Sequence, residues 1–488
     1  MDAATVVRQL GVWSSGKGPL QQKLARALME VVRHGGIAPG LRLPSERALA
    51  AALKISRTTV VAAYDALREL GWVESRSGSG TRVSLRSAGV AAARNAAHEV
   101  ALAASPLLGL LDHHGEDVVD MALGTPMPLD GLPDGLFTLP ADEQAALVRD
   151  RGYYPFGLPG LRRGIAAQLS NDGLPSDAEQ VLVTNGAQHA FVLCAMLCLQ
   201  RGDTALLEDP TYFGAIDACR AVGARIATLP VAPAGFSAVA LRGRMTATAA
   251  RLIYLTTTFQ NPTGVVVPAN ARKEIARVVE DFGVTVVDDR TLADLSLDGS
   301  APPPLAAYAG DQPVLTIGSL SKLVWPGLRV GWIRGPEPII QRLARLKTAM
   351  DLGSPLVTQA TAIRVIDAVE RVRVLRREQL KPRRDLLAAL LREQLPDWAF
   401  RLPRGGLFLW VKLPCGDARE FAQFALRHGV VTLPGSTLSA DGSHTAFLRL
   451  PFLADPGTLR QAVDRLAAAW RTFPSCRQSR RAKVPVLQ

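Results

Sequence analysis

The sequence lacks several features that define whole classes of protein. Its 488 residues contain only five cysteines, odd in number and without the paired spacing of metal ligands, which fits reduced thiols and gives no reason to expect a metal site. The longest apolar run, residues 190–199, is about half the ~20 residues that cross a bilayer. The first residues have no basic segment followed by an apolar one and a cleavage site, so we expect no secretory signal. These absences predict a cytoplasmic protein that does not enter the membrane.

Net charge is absent from the middle of the chain. Of the total of +12, residues 1–86 hold +7 and residues 471–488 hold +5, which leaves residues 87–470 neutral. A basic head on a neutral body is typical of a protein that binds a polyanion. For the tail, residues 474–488, we expect a disordered and solvated charge run. A chain of this length also predicts more than one compact unit.

The basic head has the pattern of helices followed by a hairpin. Leucines recur at helical spacing from Leu20, and two further helices begin at the caps Ser45 and Ser56 with a short turn between them. Two alternating runs around residues 77–80 predict a β-hairpin. Two helices in that arrangement place the second one in the major groove of DNA. The residues that we expect at phosphates and base edges are Arg47, Ser56, Arg57, Thr58 and Thr59 in the helices and Arg76, Gly78, Gly80 and Thr81 in the hairpin.

This combination resembles a known DNA-binding domain. The segments "LPSER", "SRTTV" and "GSGT" follow one another between residues 43 and 83, as they do in the winged helix-turn-helix of GntR-type bacterial regulators. The resemblance implies that residues 1–85 bind operator half-sites in double-stranded DNA, and the alternative is a small helical domain that binds protein. Residues 86–117, which are Ala-rich and lack periodicity, predict an interdomain linker.

From Val118 onward, apolar strand-like runs alternate with helical stretches. The alternation predicts an α/β fold with a mainly parallel sheet, whose ligand-binding residues lie at the carboxyl ends of the strands. The polar residues that follow these runs are Ala187 and Gln188 after a glycine turn, Tyr212, Asn261, the pair Asp288 and Asp289, and Lys322 with Ser319, Ser321 and Arg329.

Taken together, these residues meet the needs of pyridoxal 5′-phosphate. Its aldehyde needs an amine for a Schiff base, its pyridine nitrogen needs a carboxylate, and its phosphate needs N–H groups, hydroxyls and an arginine. Each piece alone is common by chance. The prediction depends on their order and spacing along the chain.

Residues 118–473 resemble the fold-type I aminotransferases, in particular the aminoadipate and kynurenine aminotransferases, through these segments and through "YYPFGLPGLRRGIA" and "FLRLPF". The resemblance implies the PLP-dependent transferase fold, with a large mainly parallel-sheet domain and a small C-terminal domain. It makes Lys322 the internal-aldimine lysine, Asp289 the partner of the pyridine nitrogen and Asn261 the donor to the ring hydroxyl. The other implied roles are Tyr212 as the stacking ring, Ala187, Gln188, Ser319, Ser321 and Arg329 as the phosphate cup, Arg449 at a substrate carboxylate, and Tyr154 or its neighbour Tyr153 near the site.

A GntR-like head joined by a linker to an aminotransferase-like body resembles the layout of the MocR group of bacterial regulators. The resemblance implies a homodimeric transcription regulator whose body binds an amine or amino-acid effector through Lys322 and thereby changes DNA binding. Two alternatives stay open, a working aminotransferase with an accessory DNA-binding head and a regulator that senses PLP itself. Where the aminotransferases have a tyrosine two or three residues after the aspartate, this chain has Thr291 and Leu292. That departure argues against physiological turnover and leaves residual transamination open.

Overall fold

The computed structural model describes residues 3–10, 13, 19–33, 37, 41–69, 72–76, 80–83 and 117–474, apart from residues 234 and 311. The chain divides into two compact units, Met1–Ser105 and Pro106–Gln488, which we describe separately. The predicted linker and tail lie outside the described residues, except for residues 117 and 474. The predicted domain boundaries therefore stay predictions.

The first unit contains four helices and a hairpin within its described residues. They are α1 (Ala3–Leu10), α2 (Leu20–Arg33), α3 (Glu46–Leu53), α4 (Arg57–Glu69), β1 (Val73–Arg76) and β2 (Gly80–Val83). Strands β1 and β2 pair antiparallel, with Val73 opposite Val83. The core holds Leu24, Leu49 and Tyr64, and it confirms the helical spacing read from the sequence.

The turn between α3 and α4 depends on local hydrogen bonds. Ser45 caps α3 by accepting from Ala48 N (3.3 Å), and Lys54 ends that helix in the left-handed conformation at φ 56°. Ser56 Oγ then accepts from Thr59 N (3.1 Å) at the start of α4. Such caps satisfy the free N–H groups of a helix's first turn, so both predicted caps are present.

The second unit contains a seven-stranded sheet in the order β4-β10-β9-β8-β7-β5-β6. Its strands are β4 (Val181–Thr184), β5 (Thr204–Asp209), β6 (Arg225–Pro230), β7 (Leu252–Leu255), β8 (Thr285–Asp289), β9 (Val314–Ser319) and β10 (Gly331–Arg334). Strand β10 runs antiparallel to both of its neighbours, β4 and β9, whereas the other neighbouring strands of this sheet pair parallel. The predicted α/β fold with a mainly parallel sheet is confirmed.

Helices cover both faces of this sheet. Along β8, Val286 packs with one buried cluster and Val287 with the other, and both are fully buried. A strand buried on both faces is the usual form in parallel sheets. The helices of the large domain, including those that precede the small sheet, are α5 (Ala141–Arg149), α6 (Pro159–Asn171), α7 (Ala187–Cys198), α8 (Phe213–Ala221), α9 (Ala238–Thr248), α10 (Ala269–Phe282), α11 (Glu337–Asp351), α12 (Leu356–Asp367) and α13 (Val369–Gln394).

A smaller five-stranded sheet, in the order β11-β12-β14-β13-β3, forms the rest of the second unit. Its elements are β3 (Val119–Met121), β11 (Ala399–Phe400), β12 (Phe408–Lys412), β13 (Val430–Pro434), β14 (Phe447–Pro451), α14 (Ala418–Leu426) and α15 (Pro456–Thr472). Strand β3 pairs parallel with β13, with Val119 opposite Val430. The small domain therefore uses the first strand of the unit together with its C-terminal segment.

Three properties of the described residues bear on the predictions from composition. No described helix combines the length and the apolar character that a membrane span requires. No three His, Cys, Asp or Glu side chains of the described ranges are grouped so that they could hold a metal ion. Cys194, Cys198 and Cys219 are free, as expected, whereas Cys415 forms a disulfide, which the sequence did not predict.

Candidate functional site

Most of the predicted ligand-binding residues follow neighbouring strands of the large sheet. Tyr212 follows β5, Asn261 follows β7, Asp289 ends β8, and Lys322 follows β9. Strands β5, β7, β8 and β9 run parallel, so their carboxyl ends lie at one edge of the sheet. Hydrogen bonds and charge effects connect the side chains at this edge. This is where an open α/β sheet normally binds its ligand.

Lys322 is a part-buried amine with one hydrogen bond. Its Nζ donates to the carbonyl oxygen of Gly124 at 2.8 Å. Burial lowers the pKa of Lys322 to about 8, and the positive charges of Arg449 and Arg329 act in the same direction. The negative charge of Asp289 opposes them. A lysine in such surroundings holds a larger fraction of the neutral, nucleophilic amine than an exposed one.

Asp289 is a buried carboxylate with two donors. Its Oδ1 accepts from Thr291 N at 2.8 Å, and its Oδ2 accepts from Tyr254 Oη at 2.6 Å. Burial raises the pKa of Asp289, although both hydrogen bonds act to lower it. The neighbouring Asp288 is bound differently, because its oxygens accept from Thr257 Oγ1 (2.8 Å) and Leu305 N (3.0 Å). The two carboxylates therefore have separate surroundings, and only Asp289 has a charge effect on Lys322.

Arg449 connects the small domain to the strand ends. Its Nη1 donates to Asn261 Oδ1 (3.2 Å), its Nη2 donates to Ala122 O (2.7 Å), and the guanidinium lies 4.0 Å from the ring centroid of Phe408. Burial lowers the pKa of Arg449 to about 9. The Nε of Arg449 has no partner within the described part of the chain. A buried guanidinium with a free N–H is a suitable receptor for a carboxylate.

The predicted phosphate cup lies at the start of α7. Gly186 has φ +92°, and a Cβ added there would lie 3.1 Å from Arg329 Nη2, which itself donates to Asn185 O at 2.8 Å. Ser319 Oγ donates to Ser321 Oγ at 3.0 Å. The free N–H groups of a helix start, two hydroxyls and an arginine are the usual donors for a phosphate.

Gln188 and Tyr212 meet at the first residues of α8. Gln188 Nε2 donates to Gly214 O (2.9 Å), and a Cβ on Gly214 would lie 2.5 Å from the Tyr212 ring. Burial raises the pKa of the Tyr212 hydroxyl to about 12. The phenol therefore stays neutral at physiological pH, and its ring lies beside the strand ends.

A buried glutamate joins the two loops that carry Tyr212 and Asn261. Glu208 accepts from Thr256 N (2.9 Å) and from Gln260 Nε2 (3.1 Å). Burial raises the pKa of Glu208 to about 8. The sequence did not predict roles for Glu208 or Tyr254, because both residues lie in apolar strands where polar ligands are not expected.

The predicted substrate residue Tyr154 has a different partner. Its hydroxyl donates to Asp150 Oδ2 at 2.9 Å. Its neighbour Tyr153 is exposed. The structure does not bring Tyr154 into hydrogen-bond contact with Lys322 or Arg449 among the described bonds, so its role at the site stays a prediction.

In the first unit, the residues predicted to contact DNA cluster at the start of α4. Ser56 Oγ lies 2.8 Å from Thr58 Oγ1 and 2.7 Å from Thr59 Oγ1, and the side chains of Arg47 and Arg57 are exposed. For the hairpin, Gly78 and the side chain of Arg76 lie outside the description, and Gly80 pairs with Arg76 in the ladder. Thr81 is buried and its carbonyl accepts from Leu43 N at 2.9 Å, which gives it a packing position between the hairpin and the start of α3.

Comparison with known proteins adds matches for both units. Residues 139–466 match the family described as aminotransferase class I and II, and residues 20–83 match bacterial regulatory proteins of the gntR family. The uncharacterized HTH-type transcriptional regulator YisV of Bacillus subtilis is 29% identical over 474 residues, which cover 93% of this chain and 96% of YisV. The probable rhizopine catabolism regulatory protein MocR of Rhizobium meliloti is 28% identical over 399 residues, 78% of each chain.

A solved structure matches the second unit. It is the α-aminoadipate aminotransferase LysN from Thermus thermophilus, complexed with N-(5′-phosphopyridoxyl)-L-leucine. The match has a TM-score of 0.68 and 29% identity, and it covers 75% of this chain and 94% of LysN. The similarity therefore spans almost the whole of that enzyme.

Proposed function

Because the chain belongs to the aminotransferase class I and II family and carries a gntR-type domain at its N-terminus, we propose that it is a PLP-dependent transcription regulator. In this proposal the first unit binds operator half-sites in double-stranded DNA. The second unit binds an amine, an amino acid or PLP at Lys322, and the bound state changes the affinity for DNA. We further propose that it acts as a cytoplasmic homodimer. YisV, whose match covers 93% of this chain and therefore both units, and MocR carry regulator names, which supports the proposal.

The residues at the strand ends fit pyridoxal 5′-phosphate. Gln188 Oε1 and Arg449 Nε are buried without a hydrogen-bond partner in the described ranges, although buried polar atoms normally have one. A part-buried amine, a buried carboxylate and a helix start suit an aldehyde, a pyridine nitrogen and a phosphate respectively. When bound, the cofactor would supply an aldehyde that reacts reversibly with primary amines.

The observation on which the proposal chiefly depends is the state of Lys322. Within the described part of the chain, the amine donates to the carbonyl oxygen of Gly124, at 2.8 Å, and its pKa is lowered to about 8. It can therefore exchange its partner without breaking an ion pair. Arg449, with its unpartnered Nε, lies in the same surroundings and would recognise the carboxylate of an amino-acid effector.

Sensing further requires that the ligand bind one conformation of the protein better than another. Asn261 and Ala122 both receive hydrogen bonds from Arg449, so a ligand carboxylate competes with two acceptors that belong to different domains of the second unit. Exchange of these partners would give the two states a difference in free energy. At the DNA end, the exposed Arg57 and Thr58 at the start of α4 are the groups that would meet phosphates and base edges.

The test measures DNA binding by fluorescence anisotropy on the region upstream of the protein's own gene and its neighbours. Titrations are made with and without PLP, and with PLP plus a panel of amines and amino acids. We expect the affinity to change in the wild type and to become ligand-independent in Lys322→Ala. The matched control is Lys273→Ala, which removes an exposed lysine of α10 and should behave as the wild type. If the wild type responds to neither PLP nor any amine, the sensing proposal is wrong.

A second candidate function is a working aminotransferase. The similarity of the second unit to the aminotransferase LysN over 94% of that enzyme favours it, and Lys322, Asp289 and Arg449 would bind a substrate as well as an effector. Incubation of the PLP-loaded protein with an amino donor and 2-oxoglutarate tests it. Steady formation of glutamate, abolished in Lys322→Ala, would support this candidate over the regulator alone.

A further inference from the structure

A buried hydrogen bond connects Asp289 to the middle of the neighbouring strand. Tyr254 Oη donates to Asp289 Oδ2 at 2.6 Å, and the two residues are 1% and 9% exposed. Tyr254 belongs to β7, which pairs parallel with β8, and Tyr254 lies opposite Val287 in the ladder. Its ring packs edge-on against Phe191 with centroids 4.7 Å apart. The hydroxyl is therefore positioned by the core of the sheet and not by a loop.

The second oxygen of Asp289 is also fixed, by Thr291 N at 2.8 Å. Two donors on one buried carboxylate orient its plane and favour its ionised form, against the effect of burial. The other ionisable groups that act on this pair are Asp288, Glu208 and Tyr212, and Lys322 interacts with Asp289 by charge. Among all of these, Tyr254 is the group that donates to Oδ2.

We propose that Tyr254 is a positioning residue that keeps Asp289 ionised and oriented toward the pyridine nitrogen of the cofactor. The inference rests on the proposed function, because it assumes that PLP is the ligand of Asp289. A proton shared between a carboxylate and a ring nitrogen stays on the nitrogen when the proton affinity of the carboxylate is low. The hydrogen bond from Tyr254 lowers that affinity, so it holds the proton at the ring.

This role differs from that of a tyrosine that contacts the ring hydroxyl. Positions 291 and 292 offer no phenol. Tyr254 instead donates to the carboxylate of Asp289, which would meet the nitrogen of the cofactor ring and not its hydroxyl. The chain would therefore keep control of the ring nitrogen although it has no tyrosine at the place where the resembled aminotransferases have one.

The test compares the wild type with Tyr254→Phe, which removes one oxygen and keeps the ring that packs on Phe191. Each protein is loaded with PLP or with an analogue that has C–H in place of the ring nitrogen. We expect Tyr254→Phe to weaken PLP binding about tenfold, the usual size for a lost hydrogen bond to a charged group. Binding of the analogue should change by less than about twofold, because no proton is shared there. The pH midpoint of the visible absorbance of bound PLP should also shift, by about one unit.

The matched control is Thr257→Val, which removes the hydroxyl donor of the neighbouring carboxylate Asp288, at 2.8 Å. It should leave the absorbance midpoint unchanged, even if it lowers thermal stability as much as Tyr254→Phe. In an Asp289→Asn background, the effect of Tyr254→Phe on the midpoint should disappear, because no ionised carboxylate remains there for Tyr254 to stabilise.

Equal weakening of PLP and of the analogue by Tyr254→Phe would show a structural role only and would overturn the inference. An unchanged midpoint in a folded Tyr254→Phe protein would overturn it as well. If the wild type binds neither PLP nor the analogue, the proposed function itself is wrong. That result is distinguishable from the two outcomes that overturn the role of Tyr254 alone, because in those the wild type binds PLP.

Discussion

Lys322 allows the sharpest quantitative prediction, because its pKa governs how fast it can capture an aldehyde. With a pKa of about 8, about a quarter of the lysine is neutral at pH 7.5, against about one part in a thousand for an ordinary lysine near 10.5. The difference is a factor of about 200 in reactive amine. At a given pH below 8, cofactor capture should therefore be faster than at an exposed lysine by up to about this factor, because the less basic amine is also a somewhat weaker nucleophile.

The sign of the effect follows from its cause. Burial and the charges of Arg449 and Arg329 disfavour the cation, so the folded protein binds this proton more weakly than the unfolded chain does. The corresponding contribution to stability is present above the unfolded pKa near 10.5 and is lost as the pH falls through about 8. Acidification through that value should consequently both slow capture and destabilise the cofactor-free fold.

The assay is stopped-flow absorbance of apo-protein mixed with PLP between pH 6 and 10. We expect the rate constant to rise about tenfold per pH unit and to become constant above about 8. Arg449→Gln removes one positive charge and should move this midpoint upward. Arg460→Gln, an exposed residue of α15, is the control and should leave the midpoint where it is. A wild-type midpoint near 10 would refute the reasoning, and an unchanged midpoint in Arg449→Gln would refute the part assigned to Arg449.

Three further predictions test the surroundings of the site and the DNA-binding unit. Burial raises the pKa of Glu208 to about 8, so the contribution of this group to stability is present below about 4.5 and is lost as the pH rises to 8. Glu208→Gln should therefore make the melting temperature less dependent on pH across this window, as measured by differential scanning calorimetry. Gly186→Ala places a Cβ at φ +92° beside the guanidinium of Arg329, so it should lower the free energy of unfolding by about 1 kcal/mol or more and weaken phosphate binding. The control Gly243→Ala, which has open space around it in α9, should leave stability unchanged or raise it. Arg57→Ala should weaken binding to all DNA sequences and reduce the slope of log binding constant against log salt concentration by about one. The control Arg68→Ala, at the far end of α4, should not change that slope. A slope in Arg57→Ala equal to that of the wild type would exclude a phosphate contact at Arg57.

The sequence was sufficient to predict the edge of the sheet at which these residues meet. In a parallel sheet the carboxyl ends of the strands share one edge, so polar residues after strand-like runs converge. That rule identified Asn261, Lys322 and the pair Asp288 and Asp289 as neighbours. Consecutive residues of a strand face opposite sides of the sheet, but the rule does not say which side binds the ligand. The choice of Asp289 over Asp288 therefore came from the resemblance. In the structure the distinction is visible in the different hydrogen-bond partners of the two carboxylates.

Residues whose function depends on a long-range contact were not predictable. Tyr254 lies in the run "LIYL", which predicts only a buried strand, and its hydroxyl acquires a role because β8 pairs beside it in one register.

Helix α1 was not predicted either. Thr81 was expected at DNA from its place in the hairpin, yet it is buried, because period-two alternation in a strand turns every second side chain inward.

The residues retained at the site also bear on the choice between sensor and enzyme. Binding an effector needs only ground-state contacts, whereas turnover needs contacts that strengthen in the transition state. Lys322, Asp289 and Arg449 serve binding in either case, so their presence does not discriminate. Leu292, which is buried in the apolar core, offers no hydrogen-bond donor where the resembled aminotransferases have a tyrosine. A chain selected to bind and respond, without selection for turnover, would keep Lys322, Asp289 and Arg449 and would be free to lose the tyrosine, so the assay with an amino donor and 2-oxoglutarate decides between the two functions.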